Sequence, residues 1–228
     1  MMRRILIPLI FGLTGAAILI SLGIWQVQRL AWKEGVLADI EARIAAEPVA
    51  LPASPDPAAD QYLPVTVTGM LGQPPLRVLV SRKQIGAGYR LITTLSTDAR
   101  TILVDLGFIK VDETIPAFTN ETVTLTGNLN WPDDRNSSTP ENDVTGNTWF
   151  ARDIDEMAGM LGAEPLLLVV RETSKTDLPV TPLPVDTTAI PNDHLSYAIT
   201  WFSLAAIWLV MTGYFLWRTT RKPKGDET

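Results

Sequence analysis

The fold of this chain is decided by PNDHLSYAITWF, residues 191–202, and by the apolar run that follows it. No charged residue lies between His194 and Arg218, and a segment of that length can cross a bilayer as a helix. His194 is the only histidine among 228 residues. The sequence therefore predicts a transmembrane helix over residues 191–217, with a lone imidazole where the chain passes from water into lipid.

One face of this predicted helix carries large, polarizable side chains. Steps of three and four residues place a series of them on a single side: His194, Tyr197, Trp201, Leu204, Trp208, Met211 and Phe215. Two interpretations of the histidine are open. It is either a ligand, or a solvated residue within the aromatic belt that Tyr and Trp form at membrane surfaces.

A second apolar segment lies near the start of the chain. Residues 5–27 carry no charge and end in Trp25-Gln26-Val27, without a small-residue cleavage site. A signal peptide has a shorter apolar core and such a site. We therefore predict a retained transmembrane helix over residues 5–27. Most residues on one of its faces are small, which permits close packing of another helix or a flat ligand: Gly12, Ala16, Leu19 and Gly23.

Basic residues flank both predicted spans. Arg3 and Arg4 precede the first, and four cations follow the second. The positive-inside rule then places both ends in the cytoplasm, as a tip at residues 1–4 and a basic tail at residues 218–228. Residues 28–194 hold 13 Lys and Arg against 23 Asp and Glu, which is compatible with a domain outside the cytoplasm.

Between the spans the sequence predicts a stem and one β-rich domain. Over residues 28–47 apolar side chains recur at helical spacing among charges, which is typical of an amphipathic helix. From residue 63 the period changes to two, with turn residues between short apolar runs. These runs begin near Val65, Val78, Leu91, Ile102, Val123 and Leu166. We predict a mostly antiparallel β domain over residues 48–190.

One short helix is predicted inside this domain, from Ile154 to Leu161, with Asp153 as its N-cap and Gly162 as its stop. Residues 131–146 are polar and contain proline, which indicates a mobile loop. The carboxylates of this loop and of the helix start are interpreted as solvated, not as acid and base pairs.

Composition excludes several functional classes. The chain has no cysteine, so it has neither a thiolate metal site nor a cysteine nucleophile, and one histidine cannot form a multi-histidine site. The acidic balance argues against a nucleic-acid partner, because phosphate binding needs clustered cations. No nucleophile, base and orienting partner can be assembled, so the protein is not predicted to be an enzyme.

The run at residues 191–202 resembles the second-helix signature of the surfeit-locus family of cytochrome c oxidase assembly factors. GIWQVQRLAWK, residues 23–33, resembles the first-helix signature, and GYRLITTL and NTWFARD, residues 88–95 and 147–153, are also similar. The short basic start without a transit segment indicates a bacterial member. One departure is VDLGF, residues 104–108, which lacks the Arg and Trp of a family Asn-Arg-Gly-Trp pattern.

The resemblance implies a role in handling haem a and in its delivery to the catalytic subunit of a haem-copper oxidase. It implies that His194 is the axial ligand of the haem iron. If both spans run as predicted, Trp25, Gln26 and Arg29 at the outer end of the first lie at the same depth as His194. These three residues, with Tyr197 and Trp201, are therefore expected to surround the cofactor. The implied partners are the oxidase catalytic subunit, the haem a synthesis machinery and the lipid bilayer. The implied location is the bacterial inner membrane, as a multi-pass protein with a periplasmic domain.

Two hypotheses about function remain open. In the first, the protein is an assembly factor that binds haem a and assists its insertion into the oxidase. In the second, it is a non-catalytic, membrane-anchored scaffold that stabilises an oxidase subunit, and His194 merely lies at the membrane surface. The fold class expected under both is a membrane α+β protein, in which two transmembrane helices flank one extracytoplasmic β domain.

Overall fold

The computed structural model of the protein describes residues 2–82, 86–115, 117–118, 122–176, 178–188 and 190–221. Three helices and seven strands occur within these ranges, in the order α1 (Met2–Ile44), β1 (Val49–Ala50), β2 (Pro64–Leu71), β3 (Leu76–Arg82), β4 (Gly86–Ser96), β5 (Thr101–Lys110), β6 (Thr122–Asn130), α2 (Ile154–Leu161), β7 (Glu164–Thr173) and α3 (His194–Thr220). The chain divides into a helical unit, Met1–Asp39 with Thr188–Thr228, and a β-rich unit, Ile40–Thr187.

Two helices in the described part of the chain are long and apolar enough to cross a membrane, the segments Ile5–Ile44 and His194–Thr220. They lie at the two ends of the chain with the β-rich unit between them, which confirms the predicted membrane α+β class. α1 continues without a break past residue 27. Met1 and residues 222–228, parts of the predicted cytoplasmic segments, lie outside the described residues.

The strands of the β-rich unit form one sheet in the order β1-β2-β6-β7-β5-β4-β3. β2 also pairs with β4 through Met70 with Ser96 and Leu71 with Leu95, so that β2, β6, β7, β5 and β4 close into a ring. The pairing is antiparallel except for β1 with β2 and β5 with β7. The predicted, mostly antiparallel structure is confirmed, and β1 is an addition that the proline-rich connector did not suggest.

Alternation along the strands separates two apolar clusters, because successive side chains point to opposite faces of a sheet. On β5, Val104 lies in the larger cluster and Leu103 in the smaller one. The smaller cluster packs α2 against the sheet and includes the fully buried Trp149 and Met157. Trp149 is fixed by backbone hydrogen bonds to Arg77 and Leu79 on β3.

Helix α2 has the predicted bounds, Ile154–Leu161, and ends at Gly162 in the left-handed conformation with φ of 65°. Asp153 occupies the predicted N-cap position, but its side chain makes no capping hydrogen bond. The Asp153 carboxylate instead accepts hydrogen bonds from the guanidinium of Arg135, at 2.8 to 3.0 Å. An ion pair with the preceding loop has replaced the cap.

A bulge lies in the middle of β5. Leu91 pairs with Gly107 and Ile92 with Asp105, so Leu106 has no partner on β4. An extra residue of this kind bends a strand and redirects its side chains. Asp105 lies on the face of the sheet that α2 covers, and its side chain is fully buried.

Candidate functional site

The helical unit is held together by close packing of α1 against α3. A Cβ added at Gly12 would meet Thr212, one at Gly15 would meet Trp208, and one at Gly23 would meet Phe202. The contacted position on α3 moves from 212 to 202 as the position on α1 moves from 12 to 23, so the helices are antiparallel. Gly12, Ala16 and Gly23 are buried, which confirms the predicted small face of α1 as a packing surface.

A hydrogen bond from a side chain of α3 to the backbone of α1 lies within this apolar packing. The indole N–H of Trp208 donates a hydrogen bond of 2.8 Å to the carbonyl oxygen of Gly12. A polar group in a membrane interior is costly unless it has a partner. Glycine at position 12 permits the two helices to approach this closely, since the Cβ of any other residue there would lie 2.2 Å from Thr212.

His194 is the first residue of α3 and lies beside α1. Its Nδ1 is 2.8 Å from the side-chain Oε1 of Gln26. Gln26 is only 8% exposed, although its neighbours Trp25 and Val27 are 51% and 46% exposed. The two residues that the sequence placed at the same depth are therefore in direct contact, and they form the polar end of the helix pair.

The other predicted site residues differ in their exposure. Tyr197 and Trp25 are 56% and 51% exposed, and Trp201 is half-buried. The Arg29 guanidinium lies 4.2 Å from the centre of the Trp32 ring, a cation–π contact. The fold brings His194 and Gln26 together, and it leaves Tyr197, Trp25 and Arg29 accessible to a partner or ligand.

The large side chains that the sequence placed on one side of α3 differ in their exposure. His194, Trp201 and Trp208 lie on the packing side, but the residues buried on α3 are Ala198 and Ala205. Four members of the predicted face are exposed: Tyr197, Leu204, Met211 and Phe215. The physical reason is that close helix packing selects small side chains for the contact line, so large ones are displaced to its flanks. Met211 and Phe215 line an apolar groove of about 440 Å³ beside Phe11 and Trp208.

The donor set of this site suits a single-ligand metal cofactor. A neutral imidazole has one N–H and one lone pair, and an Nδ1–H that donates to Gln26 Oε1 leaves the lone pair on Nε2. Imidazole is an axial ligand of haem iron. Within the described ranges no group of three His, Cys, Asp or Glu residues could hold a bare metal ion. These residues fit a haem iron held by one imidazole.

A second polar cluster lies in the β-rich unit. The fully buried Asp105 carboxylate is 2.9 Å from Arg90 Nε and 3.9 Å from Arg152 Nη1, and it accepts a hydrogen bond from the Gly107 N–H. Arg152 also binds Asp134 through two hydrogen bonds of 2.7 and 2.9 Å. The chain of charges joins the centre of the sheet to the loop at residues 131–146.

Burial and the two arginines act in opposite directions on these carboxyl groups. Burial raises the pKa of Asp105, and the charges of Arg90 and Arg152 oppose that rise without cancelling it. Burial also acts to raise the pKa of Asp134, but the hydrogen bonds and charge of Arg152 outweigh it, so the pKa lies below its ordinary value. Asp134 is the carboxylate that the network stabilises in its ionised form.

This network was missed in the interpretation of the sequence, which treated the loop carboxylates as solvated. Asp105 is the only charged residue between Thr101 and Ile109, and a lone carboxylate in a continuous apolar strand requires a buried partner. That signal was present. The partners were not recognisable, because Arg152 lies 47 positions further along the chain and reaches Asp105 only through the fold.

An open cleft of about 680 Å³ lies where the loop meets the start of α2, and Trp131, Asp133, Asp134 and Glu156 contribute to its lining. Both arginines that border it, Arg135 and Arg152, are paired with carboxylates. The cleft is therefore acidic, and its charges are largely engaged within the protein.

Comparison with known proteins gives consistent results. The chain matches the model of the SURF1 family over residues 13–206. It is 32% identical over 211 residues to Surfeit locus protein 1 of Homo sapiens, covering 82% of this chain and 70% of the human protein. It is 30% identical over 222 residues to a SURF1-like protein of Rickettsia bellii, covering 92% and 90% of the two chains. The family match contains both Gln26 and His194.

Proposed function

This chain belongs to the SURF1 family, and on that premise we propose that it is an assembly factor for haem-copper cytochrome c oxidase. Anchored in the membrane through α1 and α3, it binds haem a at the polar end of the helix pair and assists insertion of the haem into the catalytic subunit. His194 is the axial ligand. The role is to hold and hand over a cofactor, and it includes no catalytic step.

The observation that supports haem binding most strongly is the state of His194. The imidazole is half-buried at the end of two apolar helices, and its Nδ1 is engaged by Gln26 at 2.8 Å. With the proton on Nδ1, this contact leaves the Nε2 lone pair for coordination, and haem supplies an iron that accepts such a ligand.

The accessible residues around His194 suit the remaining chemistry of the cofactor. The exposed rings of Tyr197 and Trp25 offer apolar surface for a flat macrocycle. Arg29 is exposed one helical turn beyond Trp25, where its guanidinium can pair with a haem propionate. This arrangement explains why aromatic and cationic side chains remain uncovered at the end of the helix pair.

The setting of this function is the bacterial inner membrane, with both termini in the cytoplasm and the β-rich unit in the periplasm. The basic flanks of the two spans support this orientation. Haem a comes from the haem a synthesis machinery, and the receiving partner is the oxidase catalytic subunit.

The test is purification of the chain from membranes of cells that make haem a, beside His194→Ala and the control Ser196→Ala. Ser196 is exposed on the same turn of α3. Wild type and Ser196→Ala should carry haem a and restore the haem content of the oxidase in cells lacking the chain, and His194→Ala should do neither. A colourless wild-type protein that still restores the oxidase would establish the scaffold function instead.

A further inference from the structure

Gln26 occupies an unusual position for an amide side chain. It lies in a helix that is apolar from Ile5 to Val27, and only 8% of its surface is exposed. Burying an amide without a hydrogen-bond partner costs about 1 to 3 kcal/mol on mutational scales. In the described structure its side-chain oxygen faces the Nδ1 of His194 at 2.8 Å. The contact satisfies Gln26, and it also constrains the imidazole.

We infer that Gln26 is a positioning residue, which fixes His194 in the tautomer that carries its proton on Nδ1 and presents the Nε2 lone pair to a metal. An amide oxygen can only accept a hydrogen bond, so the facing ring nitrogen must donate one. The inference rests on the proposed function for its consequence, iron binding, but the tautomer itself is a property of the protein alone.

The chemistry of the acceptor has a further consequence. Metal-bound histidines commonly donate their second N–H to a carboxylate or carbonyl, and this partner orients the ring and raises its basicity as a ligand. A neutral amide raises the basicity less than a carboxylate would. Gln26 therefore orients the ring while keeping the metal–nitrogen bond weak, which suits a site that must release its cofactor.

Replacing Gln26 by side chains of similar size gives a set of matched variants. Gln26→Glu keeps the length and the acceptor and adds a charge. Gln26→Leu keeps most of the volume and removes the acceptor. Gln28, which is exposed on the same helix, provides the control Gln28→Leu, with the same chemical change away from His194.

The first experiment uses the cofactor-free full-length chain, purified without a histidine tag, with ¹⁵N-labelled histidine in lipid nanodiscs at a pH where the ring is neutral. The chain has one histidine, so its two ring-nitrogen signals need no assignment strategy. Wild type, Gln26→Glu and Gln28→Leu should show protonated Nδ1 and unprotonated Nε2. Gln26→Leu should lose that preference. In a parallel sample labelled with ¹⁵N-tryptophan, the indole N–H signal of Trp208, assigned by its loss in Trp208→Phe, reports whether each variant keeps the helix pair intact.

The second experiment measures the iron–histidine stretch by resonance Raman in the ferrous, haem a-loaded chain. Gln26→Glu should raise its frequency and slow transfer of the haem to an apoprotein acceptor, and Gln26→Leu should lower the haem occupancy severalfold. The inference is overturned if wild-type His194 carries its proton on Nε2, or if Gln26→Leu leaves the ring signals unchanged while the helix pair is intact. Failure of the proposed function would appear separately, as a wild-type chain that carries no haem or as haem retained by His194→Ala.

Discussion

Replacing Gly15 by alanine should loosen the packing of α1 against α3. The new Cβ would lie 2.6 Å from Cε2 and Nε1 of Trp208, whereas ordinary contacts begin at 3.4 Å. The indole would therefore have to retreat by about 0.8 Å. It is held in place by its 2.8 Å hydrogen bond to the Gly12 carbonyl, so this movement would stretch the bond beyond hydrogen-bonding distance.

The cost follows from three contributions. Loss of one interhelical hydrogen bond in a membrane costs about 0.6 to 1.7 kcal/mol. Forcing an extra methyl group into a packed contact costs about 1 to 3 kcal/mol. Alanine returns about 1 kcal/mol through its higher helix propensity. The expected net loss in the free energy of unfolding is about 2 kcal/mol.

The assay is SDS titration of the purified chain in mixed micelles, followed by near-ultraviolet circular dichroism of the tryptophans. Gly213→Ala is the matched control, because nothing lies within 4 Å of a Cβ at that position of α3. The control should unfold at or slightly above the wild-type SDS concentration, and Gly15→Ala clearly below it. Equal midpoints for Gly15→Ala and Gly213→Ala would refute the close helix contact.

Three further predictions concern other parts of the chain. Gly23→Ala should cost less than Gly15→Ala in the same titration, because its Cβ meets the tip of Phe202, which is 40% exposed and can rotate away; an equal cost would contradict this. Asp134→Asn should lower stability at neutral pH and flatten its loss in acid: the folded pKa of Asp134 is depressed, so its contribution is present above the unfolded pKa of about 3.9 and disappears as the pH falls through the folded value; an unchanged acid limb in urea titrations would count against the ion pair. A reporter active only outside the cytoplasm should work when inserted between residues 131 and 146 and be silent at the C-terminus, and the reverse pattern would overturn the topology.

The features that the sequence predicted well depend on local periodicity. Charge-free runs predicted both terminal helices, and alternation predicted the strands from β2 to β7. The small-residue face of α1 was also recognisable, because steps along a helix place Gly12, Ala16 and Gly23 on one side whatever the partner is. Gly162 ended α2 as expected, since a left-handed residue at a helix end is usually glycine.

The features that the sequence did not predict depend on contacts between distant residues. Periodicity placed Tyr197 and Met211 on the same side of α3 as His194, but it could not show that Ala198 and Ala205 form the contact line. The sequence did not show that the Asp153 carboxylate binds Arg135 and makes no hydrogen bond to the start of α2. The bulge at Leu106 and the arginine partners of the buried Asp105 appear only when distant segments of the chain are brought together.

The contact between Gln26 and His194 could be predicted from the sequence only in part. The depth of each in its own span followed from the sequence, and equal depth made a contact possible. The hydrogen bond also depends on which side of each helix faces the other. The small residues indicate that side for α1, but the sequence pattern did not indicate it for α3.

The number of axial ligands that the chain gives to haem iron tests the central claim most directly. Stable six-coordinate haem commonly uses His with His or His with Met. This chain has one histidine, and Met211 lies about 25 Å from it along α3 at a rise of 1.5 Å per residue. The measurement is the absorption and electron paramagnetic resonance spectrum of the purified, haem a-loaded monomer beside His194→Ala. We predict a five-coordinate or weakly six-coordinate iron whose signature is lost in the variant. A low-spin bis-histidine spectrum without any partner, or an unchanged haem in His194→Ala, would contradict the account.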